Sequence, residues 1–154
     1  MSSGLECEIA LKAIESYNLP VLVGIHLRDN GKLPSGEKVI DIFKKYKNNK
    51  WLGIIMACIS PGAYELVIND LQKIDIPYGF KINAFKKIPE GYTVASKDQW
   101  GNAGNPNTVL GKNTELNESK FYEYAKKFKE NGATILGGCC EIRPSHIKEI
   151  SKLK

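Results

Sequence analysis

Residues 121–147 read Phe-Tyr-Glu-Tyr-Ala-Lys-Lys-Phe-Lys-Glu-Asn-Gly-Ala-Thr-Ile-Leu-Gly-Gly-Cys-Cys-Glu-Ile-Arg-Pro-Ser-His-Ile. Phe121, Tyr124, Ala125 and Phe128 recur at helical spacing, and Asn131-Gly132 supplies the residues that end a helix. Thr134-Ile135-Leu136 is a short apolar strand whose end is Gly137-Gly138-Cys139-Cys140. Pro144 then suits the first position of another helix. Helix, buried strand and helix follow one another with two thiols at the strand's end.

The same unit recurs upstream. A helix over 5–17 carries Leu5, Ile9, Ala10, Ala13, Ile14 and Tyr17, and Asn18-Leu19-Pro20 breaks it. Val21 to Leu27 is an apolar run between turn residues, which predicts a buried strand. A second helix carries Val39, Ile40, Ile42, Phe43 and Tyr46. Trp51 to Cys58 is the next strand, with Ser60 fitted to cap a helix and Pro61 to open it. That helix buries Tyr64, Val67, Ile68 and Leu71, and a third strand runs from Tyr78 to Phe85. Helices alternating with fully apolar strands predict a parallel sheet with helices packed outside it, an α/β fold. One stretch breaks the rhythm. Residues 86–117 form a long Gly-, Asn- and Pro-containing loop, of a length that is uncommon without a function of its own, and Trp100 is its natural anchor.

With 154 residues the chain is expected to be one domain with a real core. Apolar residues at 42% and charged ones at 25% are those of a globular protein. No apolar run reaches the length of a membrane span. Met1-Ser2-Ser3-Gly4 lacks the basic start and apolar stretch of a signal peptide, so a cytoplasmic location is expected. The net charge of +5 comes from lysines spread along helices, such as Lys44-Lys45 and Lys126-Lys127. No basic block interleaved with aromatics is present, and no nucleic-acid partner is expected.

Four cysteines in a cytosolic chain point to reduced, ligating or reactive thiols rather than structural disulfides. The adjacent pair Cys139-Cys140 cannot easily satisfy disulfide geometry with itself. In a βα-barrel, catalytic side chains stand at the C-terminal ends of the strands, where this reading places Cys58 and the Cys139-Cys140 pair. Three thiolates meeting there would make a zinc site with its fourth position open. Gly137 and Gly138 are expected to let the backbone leave strand geometry so that both thiols face one ion. Taken alone, Cys58 reads more readily as a packed core residue, and an isolated cysteine pair as core or incidental. Cys7, inside a helix, is assigned to packing. His26 lies near a strand end, as a ligand, a base, or a structural or solvent-facing ring, and His146 on the last helix is read as a bystander.

The run from Ala133 to Ile147, with Gly-Gly-Cys-Cys followed by Pro144-Ser145-His146-Ile147, resembles the close of the homocysteine S-methyltransferase domain. The segment from Gly53 to Pro61 is similar to the strand that carries that family's first zinc cysteine. Where the family commonly has asparagine before that cysteine, Ala57 stands here, so a supporting hydrogen bond is missing or replaced. Residues 6–20 resemble the helix and linker before the fifth barrel strand. The resemblance covers nearly the whole chain and is weakest over 86–117. It implies Cys58, Cys139 and Cys140 as ligands of Zn²⁺, with no catalytic residue beyond the metal site. Homocysteine would be the methyl acceptor, its thiol in the fourth position, and methionine the product. The donor would be betaine, S-methylmethionine, S-adenosylmethionine or a methylated corrinoid, among which the sequence does not choose.

A (β/α)8 barrel needs eight strands and typically about 250 residues. The four strands here correspond to the fifth to the eighth, so residues 1–154 are read as the C-terminal half of a TIM barrel, a partial homocysteine-binding domain. The family's Asp-Gly-Gly and Glu-Thr motifs, which help to hold homocysteine, are not in this sequence. The chain is therefore expected to need an N-terminal half-barrel or a second copy of itself. The alternative functions are a non-catalytic zinc- or thiol-binding module, and a redox protein using Cys139-Cys140.

Overall fold

The apolar runs bounded by turn residues become four strands: β1 (Val21–Ile25), β2 (Trp51–Ile59), β3 (Tyr78–Ile82) and β4 (Ile135–Gly138). The computed structural model describes residues 1–17, 19–46, 51–88 and 106–154. The strands pair in sequence order, every pair parallel. Parallel neighbours need a crossover. The connections carry α1 (Gly4–Ala13) before the sheet, α2 (Val39–Tyr46), then α3 (Pro61–Glu65) with α4 (Ile68–Leu71), α5 (Pro106–Leu110), α6 (Glu118–Glu130) and α7 (Pro144–Ile150).

One face of the sheet makes the core. Val23, Ile25, Ile54, Met56, Phe80 and Ile82 are all buried. Phe80 meets Tyr64 of α3 and Phe128 of α6 edge to face, each with ring centroids 5.5 Å apart. Among the described residues no helix covers the opposite face. Leu22 and Lys81 are exposed on it, and Gly24, Ala57 and Gly137 are half-buried. Ile135 folds across this face, and Ile55 is buried on it. A Cβ at Gly79 would collide with the Ile135 carbonyl oxygen and one at Gly53 with the Pro77 carbonyl oxygen, so neither position has room for a side chain.

The element ends differ from the sequence expectation in traceable ways. β3 stops at Ile82, not Phe85, because the Asn83 N–H donates to Ile59 O and the Ala84 N–H to Cys140 O, which turns the chain toward the rim. Phe85 instead bridges Lys112, antiparallel. β1 stops at Ile25 rather than Leu27. α1 ends at Ala13, and the segment to Tyr17 continues as turns, with Glu15 N–H on Lys12 O and Tyr17 N–H on Ile14 O. Its expected apolar stripe is also not its buried face. Leu5 and Ile9 are 65% and 59% exposed, whereas Cys7 is in the core. α1 is seated by Gly4, where any Cβ would strike Glu37, and the Gly4 N–H donates to the Glu37 carboxylate.

The single helix expected after Pro61 is two short ones, though Tyr64, Val67 and Leu71 are buried as anticipated. Ser60 caps α3, its hydroxyl accepting from the Ala63 N–H at 3.2 Å. Asn131 ends α6, with Gly132 following at φ 97°, and a Cβ there would collide with the Tyr78 hydroxyl. Trp100 and most of the long loop lie outside the described residues. The far end of that loop carries α5. Among the described residues no helix is long and apolar enough to cross a membrane.

Candidate metal centre

Cys58 at the end of β2 and the Cys139-Cys140 pair after β4 bring three sulfurs to the C-terminal rim, all within 4.8 Å of one another. The Sγ atoms of Cys58 and Cys140 are 3.7 Å apart, and those of Cys139 and Cys140 are 3.9 Å apart. A tetrahedral zinc site with Zn–S bonds of ~2.3 Å has S···S edges of ~3.8 Å, so the donor set fits a zinc ion in chemistry and in spacing. All four cysteines are free thiols. Cys7 is buried in the core and takes no part in the cluster.

Backbone distortion aims the sulfurs. Cys58 has φ 56°, left-handed, where β2 and β3 slip register between Ala57 and Ile59. Such a bulge at a strand end re-aims a side chain, at a cost of about 1–3 kcal/mol for a non-glycine residue. On the other strand the device is a turn. Cys139 N–H donates to Ile82 O, and the Ile142 N–H closes back on Cys139 O at 3.1 Å. Glu141 takes the left-handed position of that turn, φ 63°.

The role expected of Gly137 and Gly138 is thereby corrected. Neither adopts a left-handed φ, and the turn after them turns both thiols toward one point. Gly138 is needed for space, since a Cβ there would lie 2.3 Å from Ile142 Cγ2. A Cβ at Gly137 would make only ordinary contacts.

Three polar residues hold this arrangement; sequence reasoning raised His26 only as a ligand, base or structural ring and did not raise Asn83 or Glu141. Asn83, buried at the end of β3, donates from Nδ2 to the Cys58 sulfur at 3.8 Å, and its Oδ1 accepts the Phe85 N–H at 3.2 Å. It also lines a cavity of about 270 Å³ with Asp29, Ser60 and Lys86. An asparagine closing an apolar strand was the signal available in the sequence. His26 donates from Nδ1 to the Ala57 carbonyl at 3.2 Å and so braces the bulge beside Cys58, a structural role. Glu141 ties the cysteine turn to α5 by accepting from Asn107 Nδ2 at 2.7 Å. His146, outside the cysteine cluster, is a structural ring. It accepts the Arg143 N–H at one nitrogen and donates to Leu116 O from the other.

Electrostatically the three thiols behave as a unit. Hydrogen bonding to Cys139 and burial push the Cys58 thiol far up. The hydrogen bond from Cys58 holds Cys139 well below the usual thiol range, and the charge of Lys81 acts in the same direction. Burial and the neighbouring Cys139 charge push Cys140 up. One negative charge therefore forms first at Cys139, stabilised by its two neighbours.

The family described as homocysteine S-methyltransferase matches residues 1–153. Homocysteine S-methyltransferase 1 of Zea mays is 26% identical over 142 residues, covering 90% of this chain and 39% of the relative. Homocysteine S-methyltransferase 2 of Arabidopsis thaliana is 22% identical over 135 residues, covering 87% and 36%. In structure, the metallated form of the homocysteine methyltransferase MmuM from Escherichia coli superposes with a TM-score of 0.67 at 15% identity, over all of this chain and 43% of that one. The chain thus spans about two fifths of the length of the proteins it matches.

Proposed function

The chain belongs to the homocysteine S-methyltransferase family, and from that premise we propose that Cys58, Cys139 and Cys140 hold a zinc ion at which the thiol of homocysteine is methylated to methionine. The observation that carries this reading is the meeting of three sulfurs from two strand ends within 4.8 Å. Bound there, Zn²⁺ would keep a thiol deprotonated at neutral pH and leave a fourth position for the substrate's sulfur.

The chain's own residues hold that centre. The Asn83 amide steadies the Cys58 sulfur, His26 fixes the carbonyl before it, and the turn from Cys139 to Ile142 fixes the other two sulfurs. The methyl donor and the groups that hold the ammonium end of homocysteine would come from outside these residues. On this reading 1–154 is a partial homocysteine-binding domain whose open sheet face and free edges, β1 and β4, receive the rest of a barrel. That is an N-terminal half-barrel in the first instance and a second copy of the chain otherwise.

A catalytically silent zinc- or thiol-binding module is the second reading, because the three sulfurs alone make a metal site. The test of the first is zinc content of freshly purified protein together with methionine formation from homocysteine, with chelator as control. One tightly held zinc per chain and chelator-sensitive methionine formation by the completed barrel are expected. Zinc without methionine in any combination would favour the silent module, and a metal content near zero would remove both.

A further inference from the structure

Lys81 interrupts an otherwise apolar strand. A central strand of a parallel sheet is normally a continuous hydrophobic run, because both faces are buried. Here Phe80 and Ile82 are buried against the helices, and Lys81 is exposed on the uncovered face. It pairs in register with Gly137 of β4, and its Cγ lies 3.6 Å from where a Gly137 Cβ would stand. With no side chain at Gly137, the lysine stem lies over β4 on the face that leads up to Cys139, two residues on. Among the described residues Lys81 has no carboxylate partner and no hydrogen bond.

An ammonium on a flexible stem, unpaired and beside a thiol-binding centre, is a point charge available to an anion on whatever thiol enters. We propose that Lys81 anchors a carboxylate on the thiol substrate, so that this half of the site selects thiols whose carboxylate lies a few bonds from sulfur. The proposal rests on the three cysteines being a metal centre that accepts a thiol. It leaves the substrate's ammonium end to groups outside this chain.

The test uses the full chain loaded with Co²⁺ in place of zinc, whose visible absorption reports thiol coordination. Three probes are titrated: homocysteine, 4-mercaptobutanoate, which lacks the amine, and 3-mercaptopropylamine, which lacks the carboxylate. In the unaltered chain the two carboxylate-bearing thiols should bind on the order of tenfold more tightly than the third. Lys81→Met should remove that preference without weakening 3-mercaptopropylamine, and Lys81→Arg should keep it. Equal binding of all three probes to the unaltered chain, or equal weakening of all three by Lys81→Met, would reduce Lys81 to a general attraction for anionic sulfur and overturn the proposal. Cobalt thiolate absorption that never develops would overturn the metal centre itself, and the proposal with it.

Discussion

The side-chain amide of Asn83 stands 3.8 Å from the sulfur of Cys58, across from β3 to β2. The amide is buried, and its other end is fixed by the Phe85 N–H, so it cannot turn away to water. A donor fixed in that way orients a metal-ligating sulfur and moderates its charge. Asn83→Leu keeps the volume and removes the donor. Zinc affinity, measured by competition with a chromophoric chelator, should fall on the order of 10–100-fold. Unchanged affinity would show that the bulge alone holds Cys58.

The bulge makes a separate prediction about stability. Cys58 occupies a left-handed φ that glycine adopts freely and alanine does not. In metal-free protein, Cys58→Gly should be more stable than Cys58→Ala by about 1 kcal/mol, although both lack the thiol. Urea unfolding of the two variants checks it, and the reverse order would mean that the backbone relaxes once the sulfur is gone.

The alternation of helix and strand was legible because each apolar run here is bounded by strong breakers, and a thiol at two strand ends pointed to one rim. The backbone devices were not legible. Nothing in Met56-Ala57-Cys58-Ile59 announces a left-handed residue, since the distortion arises from the register slip between β2 and β3. The glycines before Cys139 drew a conformational role that belongs to Glu141, because a turn's left-handed position depends on which hydrogen bond closes it. Leu5 and Ile9 were misassigned for a similar reason. Helical spacing shows that a stripe exists, but the seat of Gly4 on Glu37 and Ile42 decides which side of α1 faces the core.

Zinc binding should separate the cysteines. Cys139→Ser or Cys140→Ser removes a charge as well as a ligand and should abolish tight binding. Cys7→Ser should keep full zinc stoichiometry while lowering stability by about 1–3 kcal/mol, because it places a hydroxyl in the core. Stoichiometric zinc in a Cys139/Cys140 double variant would contradict the assignment.

Without metal, the thiols should react in a fixed order. Cys139 is held below the usual thiol range, so its thiolate persists as pH falls and is lost only when pH drops through that lowered value. Cys58 and Cys140 are raised, so their thiolates form only as pH rises past ordinary thiol values. Alkylation of chelator-treated protein near neutral pH, mapped by mass spectrometry, should therefore mark Cys139 first, because the thiolate is the reactive form. The Cys58 and Cys140 rates should still be climbing in mild alkali. Cys58 labelled ahead of Cys139 at neutral pH would show that the charge sits elsewhere in the cluster.

The last prediction concerns activity and follows from the open face of the sheet. Gly24, Ala57, Lys81 and Gly137 lie on that face uncovered by any helix, with Leu22 49% exposed at one edge. Three sulfurs can hold a metal there, but a two-substrate reaction also needs both partners held in line. Such orientation is worth as much as ~7–11 kcal/mol of barrier. Apart from Lys81, nothing among the described residues of the uncovered face offers a charged group to the substrate. The isolated chain is therefore expected to bind zinc and form methionine poorly or not at all. Supplying the preceding half-barrel, in trans or as a longer chain, should restore methionine formation and cover Leu22 and Lys81, which protection of Lys81 from amine-reactive labelling would report. Robust turnover by a chain shown to be monomeric in the same assay would mean that these four strands orient both substrates unaided.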